Sequence, residues 1–138
     1  MELAPVMRSA LLGLLLLATI AHSRKDQYSL ELSMYDDINY HRVMLYSKTY
    51  CPYSKKMKVM LHRYGIRGMK TVELNEEEQM SEMQDYLETL SGRRTVPQLF
   101  VDGQFVGGYD DTKVLEEEGE LEKRLMTAGA IPWRRARL

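Results

Sequence analysis

Val43-Met44-Leu45-Tyr46 is an unbroken apolar run of the kind that suits a strand covered on both faces, and it lies a few residues ahead of Cys51-Pro52. That handover constrains the chain most. Pro52 suits a first helical position, because its fixed φ fits the helix and its missing N–H would have had no partner there. A strand over His41–Ser47 and a helix over 52–64 are therefore predicted. Met57, Met60, Leu61 and Tyr64 mark the helix's apolar face, Lys55, Lys56, Lys58 and Arg63 its polar face, and Gly65 its left-handed end.

Cys51 falls at or next to the cap of that helix. There a sulfur meets unpaired N–H groups and the positive end of the helix dipole, both of which favour thiolate over thiol. Lys48 and the helix lysines add positive potential. A thiol so placed can titrate well below the usual value, down to roughly 3.5–7.5. The other reading of a lone cysteine is a buried structural residue. The surrounding Ser47-Lys48-Thr49-Tyr50-Cys51-Pro52-Tyr53-Ser54 is polar, aromatic and Pro-containing, which points to reactivity.

Cys51 is the only cysteine in 138 residues. No internal disulfide can form, so stability must come from a packed core. Residues 1–23 carry an apolar stretch, Ala10–Ala21, preceded by Arg8 and followed by His22 and Ser23, with small residues spaced for cleavage after Ala21 or Ser23. They read as a secretory signal peptide, with an uncleaved membrane anchor as the alternative; the stretch itself is shorter than the ~20 residues a span requires. A mitochondrial presequence fits less well, since Arg8 is its one basic residue and Glu2 is acidic. Residues 24–130 then make one domain and 131–138 a basic tail. Segment 1–23 contains one residue of each sign, so the net charge of -1 is the same without it, and nucleic acid is not an implied partner.

Further along, Leu30, Met34 and Ile38 are spaced for a helix over about 27–38. Met69–Leu74 reads as a strand parallel to the first, the intervening helix serving as crossover. Asn75 is expected to cap a helix bearing Met80, Met83, Tyr86, Leu87 and Leu90, with Glu76–Glu78 in its first turn and Gly92 at its end. Gln98–Val101 and Gln104–Val106 flank Asp102-Gly103, a strong hairpin signal. Asp110 or Asp111 would cap a last helix carrying Val114, Leu115, Leu121 and Leu125. Gly119 inside it costs about 1 kcal/mol against Ala, which a close packing contact would explain. The result is an α/β domain, a small mixed sheet flanked by helices, with Cys51 at the C-terminal end of the first strand, where α/β sheets place ligand sites.

Four stretches together resemble the glutaredoxin family: Ser47–Ser54; Gln84 within Met83-Gln84-Asp85-Tyr86-Leu87; Thr95-Val96-Pro97-Gln98-Leu99-Phe100; and Asp102-Gly103 leading to Gly107-Gly108-Tyr109-Asp110-Asp111. The resemblance covers about residues 27–127 and implies a thioredoxin fold with a four-stranded mixed sheet. Dithiol members have Cys where this chain has Ser54, so the chain is similar to the monothiol, Cys-Pro-Tyr-Ser type. It implies a glutathione-dependent thiol-disulfide oxidoreductase. Cys51 would take the glutathionyl group from glutathionylated proteins or small mixed disulfides, and a second glutathione would release it. The reverse direction, glutathionylation, is equally open.

By the same resemblance, glutathione would be held by Lys48 and Gln84 at its glycine carboxylate, by the backbone of Thr95 and Val96 ahead of a cis Pro97, and by Gly108, Tyr109, Asp110 and Asp111 at its γ-glutamyl end. Pro52 and Ser54 would support Cys51, Ser54 either donating to the thiolate or standing solvated in the first turn. Tyr50 and Tyr53 would wall the sulfur. Tyr109 stands where the family often has a small residue. Arg93 and Arg94 either attract glutathione or are solvated, and Asp110 and Asp111 serve as caps, ligands or both. A monomer is implied, unless two chains and two glutathiones share a [2Fe-2S] cluster through Cys51, the alternative function. Pro52 resembles members that generally do not build one. The leader implies the secretory pathway, whose endoplasmic reticulum is poised at roughly -180 to -210 mV.

Overall fold

The computed structural model describes residues 5–133, and by internal contacts the chain divides into two units, 1–33 and 34–138. Helix α1 runs Pro5–Tyr40, longer than the 27–38 predicted, because no proline and only Gly13 interrupts this stretch after Pro5. In the first unit it is exposed, including Leu11, Leu12 and Leu14–Leu17. By length and composition the helix could cross a membrane, a test that signal sequences also pass. The apolar stretch is thus part of a longer helix than its own dozen residues suggested.

The second unit is built on strand β1, Val43–Ser47, every residue of which is buried. It pairs in parallel with β2 (Met69–Glu73) and antiparallel with β3 (Gln98–Val101), which pairs antiparallel with β4 (Gln104–Gly107). The order is β2-β1-β3-β4, the four-stranded mixed sheet expected of a thioredoxin fold. Helix α2, Pro52–His62, makes the crossover from β1 to β2. At the hairpin Asp102 (φ 51°) and Gly103 (φ 75°) both take left-handed backbone, as a two-residue turn matching the strand twist requires.

Because strand side chains alternate, Val43 and Leu45 face one way and Met44 and Tyr46 the other. The first face, with Leu99 and Val101, packs with Met57, Met60 and Leu61 of α2 and with Leu121 and Leu125. Each fully buried leucine contributes roughly 2 kcal/mol. On the other side Tyr46 meets Phe100 edge-on, ring centroids 6.0 Å apart. Ile131, placed with the basic tail by sequence, is buried in the first cluster; residues 134–138 of that tail lie outside the described residues.

Three local expectations change. Asn75 lies in a single 3₁₀ turn, Leu74–Glu76, and helix α3 is Met80–Ser91, so Glu76–Glu78 precede its first turn. Asn75 instead bonds Thr49: its Oδ1 accepts the Thr49 N–H and its amide donates to the Thr49 hydroxyl, both at 2.8 Å. The last helix is two, α4 (Tyr109–Glu117) and α5 (Glu120–Thr127). Gly119 separates them at φ 75° with no atom within 4 Å of a built Cβ, so backbone conformation explains it and close packing does not. Finally, Gly108 is the N-cap of α4, and Asp111, in its first turn, accepts the Gly108 N–H at 3.1 Å.

Gly119→Ala is expected to cost about 1 kcal/mol, the backbone penalty alone. Gly107→Ala should cost more, roughly 3 kcal/mol or above, because φ is 149° and a Cβ would lie 2.4 Å from that of Asp111. Urea unfolding of the two variants gives the comparison.

Candidate functional site

The chain turns sharply between β1 and α2. Cys51 N–H donates to Lys48 O at 3.0 Å, and Cys51, with extended backbone, is the N-cap of α2 with Pro52 in the first turn. The Thr49–Asn75 pair ties this turn to the end of β2. Its sulfur is half-buried.

Burial pushes the Cys51 thiol up, but the Ser54 hydroxyl, the N–H groups of Ser54 and Tyr53 and the charge of Lys48 together outweigh it, holding the thiol below its usual range. Ser54 is fully buried, so the solvated first-turn reading is excluded. Its oxygen also lies 3.5 Å from the Lys48 N–H. As a thiol, Cys51 points its Sγ at Val96 O, 3.8 Å away. A thiolate has no proton to donate, so ionisation releases that carbonyl for another donor.

Val96 belongs to a segment fixed from both ends. Gln84 donates its amide to Arg94 O at 2.9 Å and accepts from Lys48 Nζ at 3.2 Å, which brings together the cation and amide expected at one end of the site. Buried Gln98 donates to Thr95 O at 3.0 Å and to Arg93 O. The Val96–Pro97 peptide is cis. Arg94, one of the two loop arginines, pairs with Asp85 and donates to the Ser81 hydroxyl at 3.1 Å.

A cleft of about 390 Å³ opens along this segment, lined by Tyr53, Arg93, Thr95, Val96, Pro97 and residues 108–111. That is within the roughly 300–1,000 Å³ of small-ligand sites. Arg93 is bonded to Asp111, and that guanidinium first, then the Gly108 N–H, holds the Asp111 carboxyl below its usual range. Both bonds fall on Oδ2, which leaves Oδ1 to face a cation. Tyr109 packs on Tyr53 with ring centroids 5.9 Å apart, and Lys56 sits over both rings. Of the two expected wall tyrosines, Tyr53 lines the cleft and Tyr50 is exposed outside it.

The geometry thus joins Lys48 to Gln84, Cys51 to Ser54 and Val96, and Tyr53 to Thr95, Pro97 and residues 108–111. Sequence reasoning missed Asn75, Gln98 and Arg93 as supports. Gln98 stands inside the Thr-Val-Pro-Gln motif, and that was its available signal; the partner of Arg93 lies 18 residues on and left none.

Alkylation of Cys51 by iodoacetamide should rise with pH through a midpoint below that of an ordinary thiol, since the reactive thiolate is lost as pH falls through the lowered pKa. Ser54→Ala should move the midpoint up, and Lys48→Met should move it up by less. Equal midpoints in all three proteins would contradict this electrostatic account.

Comparison with known proteins bears on the family and the fold. The Glutaredoxin family model matches residues 43–106. A Caenorhabditis elegans protein described as an uncharacterized monothiol glutaredoxin is 53% identical over 102 residues, 74% of this chain and 70% of that protein. The buckwheat glutaredoxin-glutathione complex is similar in structure, with a TM-score of 0.72 and 32% identity over 77% of this chain and 96% of that one. Reduced glutaredoxin C1 from Populus tremula x tremuloides matches with a TM-score of 0.74 and 31% identity, over 84% of this chain and 98% of its own. With its single thiol at the head of α2, the chain belongs to the glutaredoxin family.

Proposed function

We propose that the protein is a monothiol glutathione-dependent oxidoreductase that exchanges glutathionyl groups through Cys51. The observation that carries this reading is a half-buried sulfur with a lowered pKa beside a fully buried serine in place of a second thiol.

The thiolate of Cys51 attacks the glutathione sulfur of a mixed disulfide. The Cys51–S bond forms, the old S–S bond breaks, and the target leaves as a thiolate that takes a proton from water. A second glutathione, as thiolate, attacks the same glutathionyl sulfur and leaves as glutathione disulfide, restoring Cys51. Net, one mixed disulfide and one free glutathione give the free target thiol and one glutathione disulfide. Ser54 stabilises the thiolate as attacker and as leaving group but cannot exchange disulfides, so resolution falls to glutathione.

The donors around Cys51 and in the cleft match the tripeptide in kind. Lys48 Nζ, steadied by Gln84, offers further N–H groups to the glycine carboxylate. The Val96 carbonyl and N–H pair with the peptide backbone in strand fashion. Residues 108–111 offer the first-turn N–H groups of α4 to the γ-glutamyl carboxylate, and Asp111 Oδ1 faces its ammonium. The N-terminal helix supports a place in the secretory pathway, either through a cleaved leader or as an anchor.

The test is glutathione-dependent reduction of a small glutathionyl mixed disulfide by the full-length chain, with the absorbance spectrum recorded anaerobically. Turnover is expected, with none in Cys51→Ser and a roughly tenfold higher KM for glutathione in Lys48→Ala, the effect of one charge-assisted hydrogen bond. No turnover, together with a Cys51-dependent brown chromophore, would replace this reading by a cluster held between two chains, to which each chain contributes one thiolate.

A further inference from the structure

Beyond the tyrosine wall of the cleft lies a second groove, of about 350 Å³, between α2 and α4. Lys55 and Lys56 enter it from α2, Arg63 from the C-cap of that helix and Lys113 from α4, against one lining carboxylate, Glu116. The whole chain carries a net charge of -1, so this local excess is not a reflection of a basic composition. Lys58, on the same helix, is paired with Glu73 and does not line the groove. Glu116 is taken by Arg63 at 3.3 Å, and Lys113 has only an exposed contact with Glu117 at 3.5 Å, which solvent screens. Lys55 and Lys56 have no carboxylate partner among the described residues. Between these cations Val59 is 66% exposed, an apolar spot in a positive surround.

Tyr109 lines both this groove and the cleft beside Cys51, and Lys56 lies 5.7 Å from its ring centroid. Val59 stands eight residues along α2 from Cys51, a rise of roughly 12 Å, which about four residues of extended chain would cover. We propose that this groove docks an acidic segment of the protein whose cysteine is glutathionylated, with carboxylates on Lys55, Lys56 and Lys113 and an apolar side chain on Val59. The proposal rests on the exchange reading above and adds the class of protein substrate. Charge complementarity would speed encounter and favour acidic targets, while a small mixed disulfide would not feel it.

The test uses full-length Cys51→Ser, which cannot exchange, and two fluorescent glutathionylated peptides of equal length. One carries Asp and Glu with a leucine about four residues from its cysteine; the other is neutral. Anisotropy should show the acidic peptide binding about tenfold more tightly at low salt, the advantage shrinking as salt rises. In Lys55→Glu/Lys113→Glu the preference should vanish, while the double substitution on the Cys51 background keeps Lys48, the lysine whose charge acts on the Cys51 thiol, and should turn over the small mixed disulfide like the unaltered protein. Equal binding of the two peptides, or a preference that survives charge reversal, would overturn the proposal. So would a peptide-indifferent groove whose charge reversal instead abolishes extra binding to phosphatidylserine over phosphatidylcholine vesicles, which would assign it to lipid. Slower turnover of the small disulfide in the double variant would also overturn it, by showing that the lysines act on glutathione. Failure of the unaltered protein to turn over that disulfide would remove the exchange reading alone, because the anisotropy does not depend on exchange.

Discussion

The site depends on how one sulfur is held. Burial alone would favour the neutral thiol; the Ser54 hydroxyl, two N–H groups at the start of α2 and Lys48 reverse that. None of these groups would converge without the strand before them. β1 is buried along its whole length and hydrogen-bonded on both edges, so its C-terminal end is fixed, and the turn to Pro52 delivers Cys51 to the helix N-terminus. A serine in place of a resolving cysteine gives up internal disulfide formation and keeps the electrostatic support.

A second constraint is the 93–97 segment, which borders the sulfur and the cleft. It is irregular backbone, so side chains rather than a ladder satisfy its carbonyls: Gln84 from α3 and Gln98 from β3. Gln84 serves twice, since its oxygen also positions Lys48. The cationic end of the site and the backbone beside the sulfur are therefore coupled through one amide. At the opposite end Arg93 joins the segment to Asp111, and Tyr53 on Tyr109 closes the wall between α2 and α4.

Much of this was legible in the sequence because the signals were local. The apolar run at 43–46, Pro52 after Cys51 and the Asp102-Gly103 turn each specify their own backbone, and the β1–β2 and β3–β4 pairings follow from a crossover and a hairpin, whereas the β1–β3 pairing that joins them has no local signal. What escaped was set by distance or by choice of partner. Asn75 has cap chemistry, but its nearest competing partner, Thr49, comes from another loop. Gly119 was read as tolerated within one helix, although a left-handed residue there ends α4 and starts α5. Helix α1 exceeds the 27–38 predicted, since nothing between Gly13 and Tyr40 breaks a helix. Tyr109 looked out of pattern, and its use became visible only through Tyr53 and Lys56.

With a single thiol, the identity of the covalent intermediate separates monothiol exchange from every alternative. The decisive measurement is therefore mass spectrometry of the acid-quenched protein after mixing with one equivalent of a glutathionylated protein and no free glutathione. The account predicts one glutathionyl group on Cys51 and the target released as a free thiol. An adduct joining Cys51 to the target itself, or an unmodified Cys51 beside an intact mixed disulfide, would contradict it.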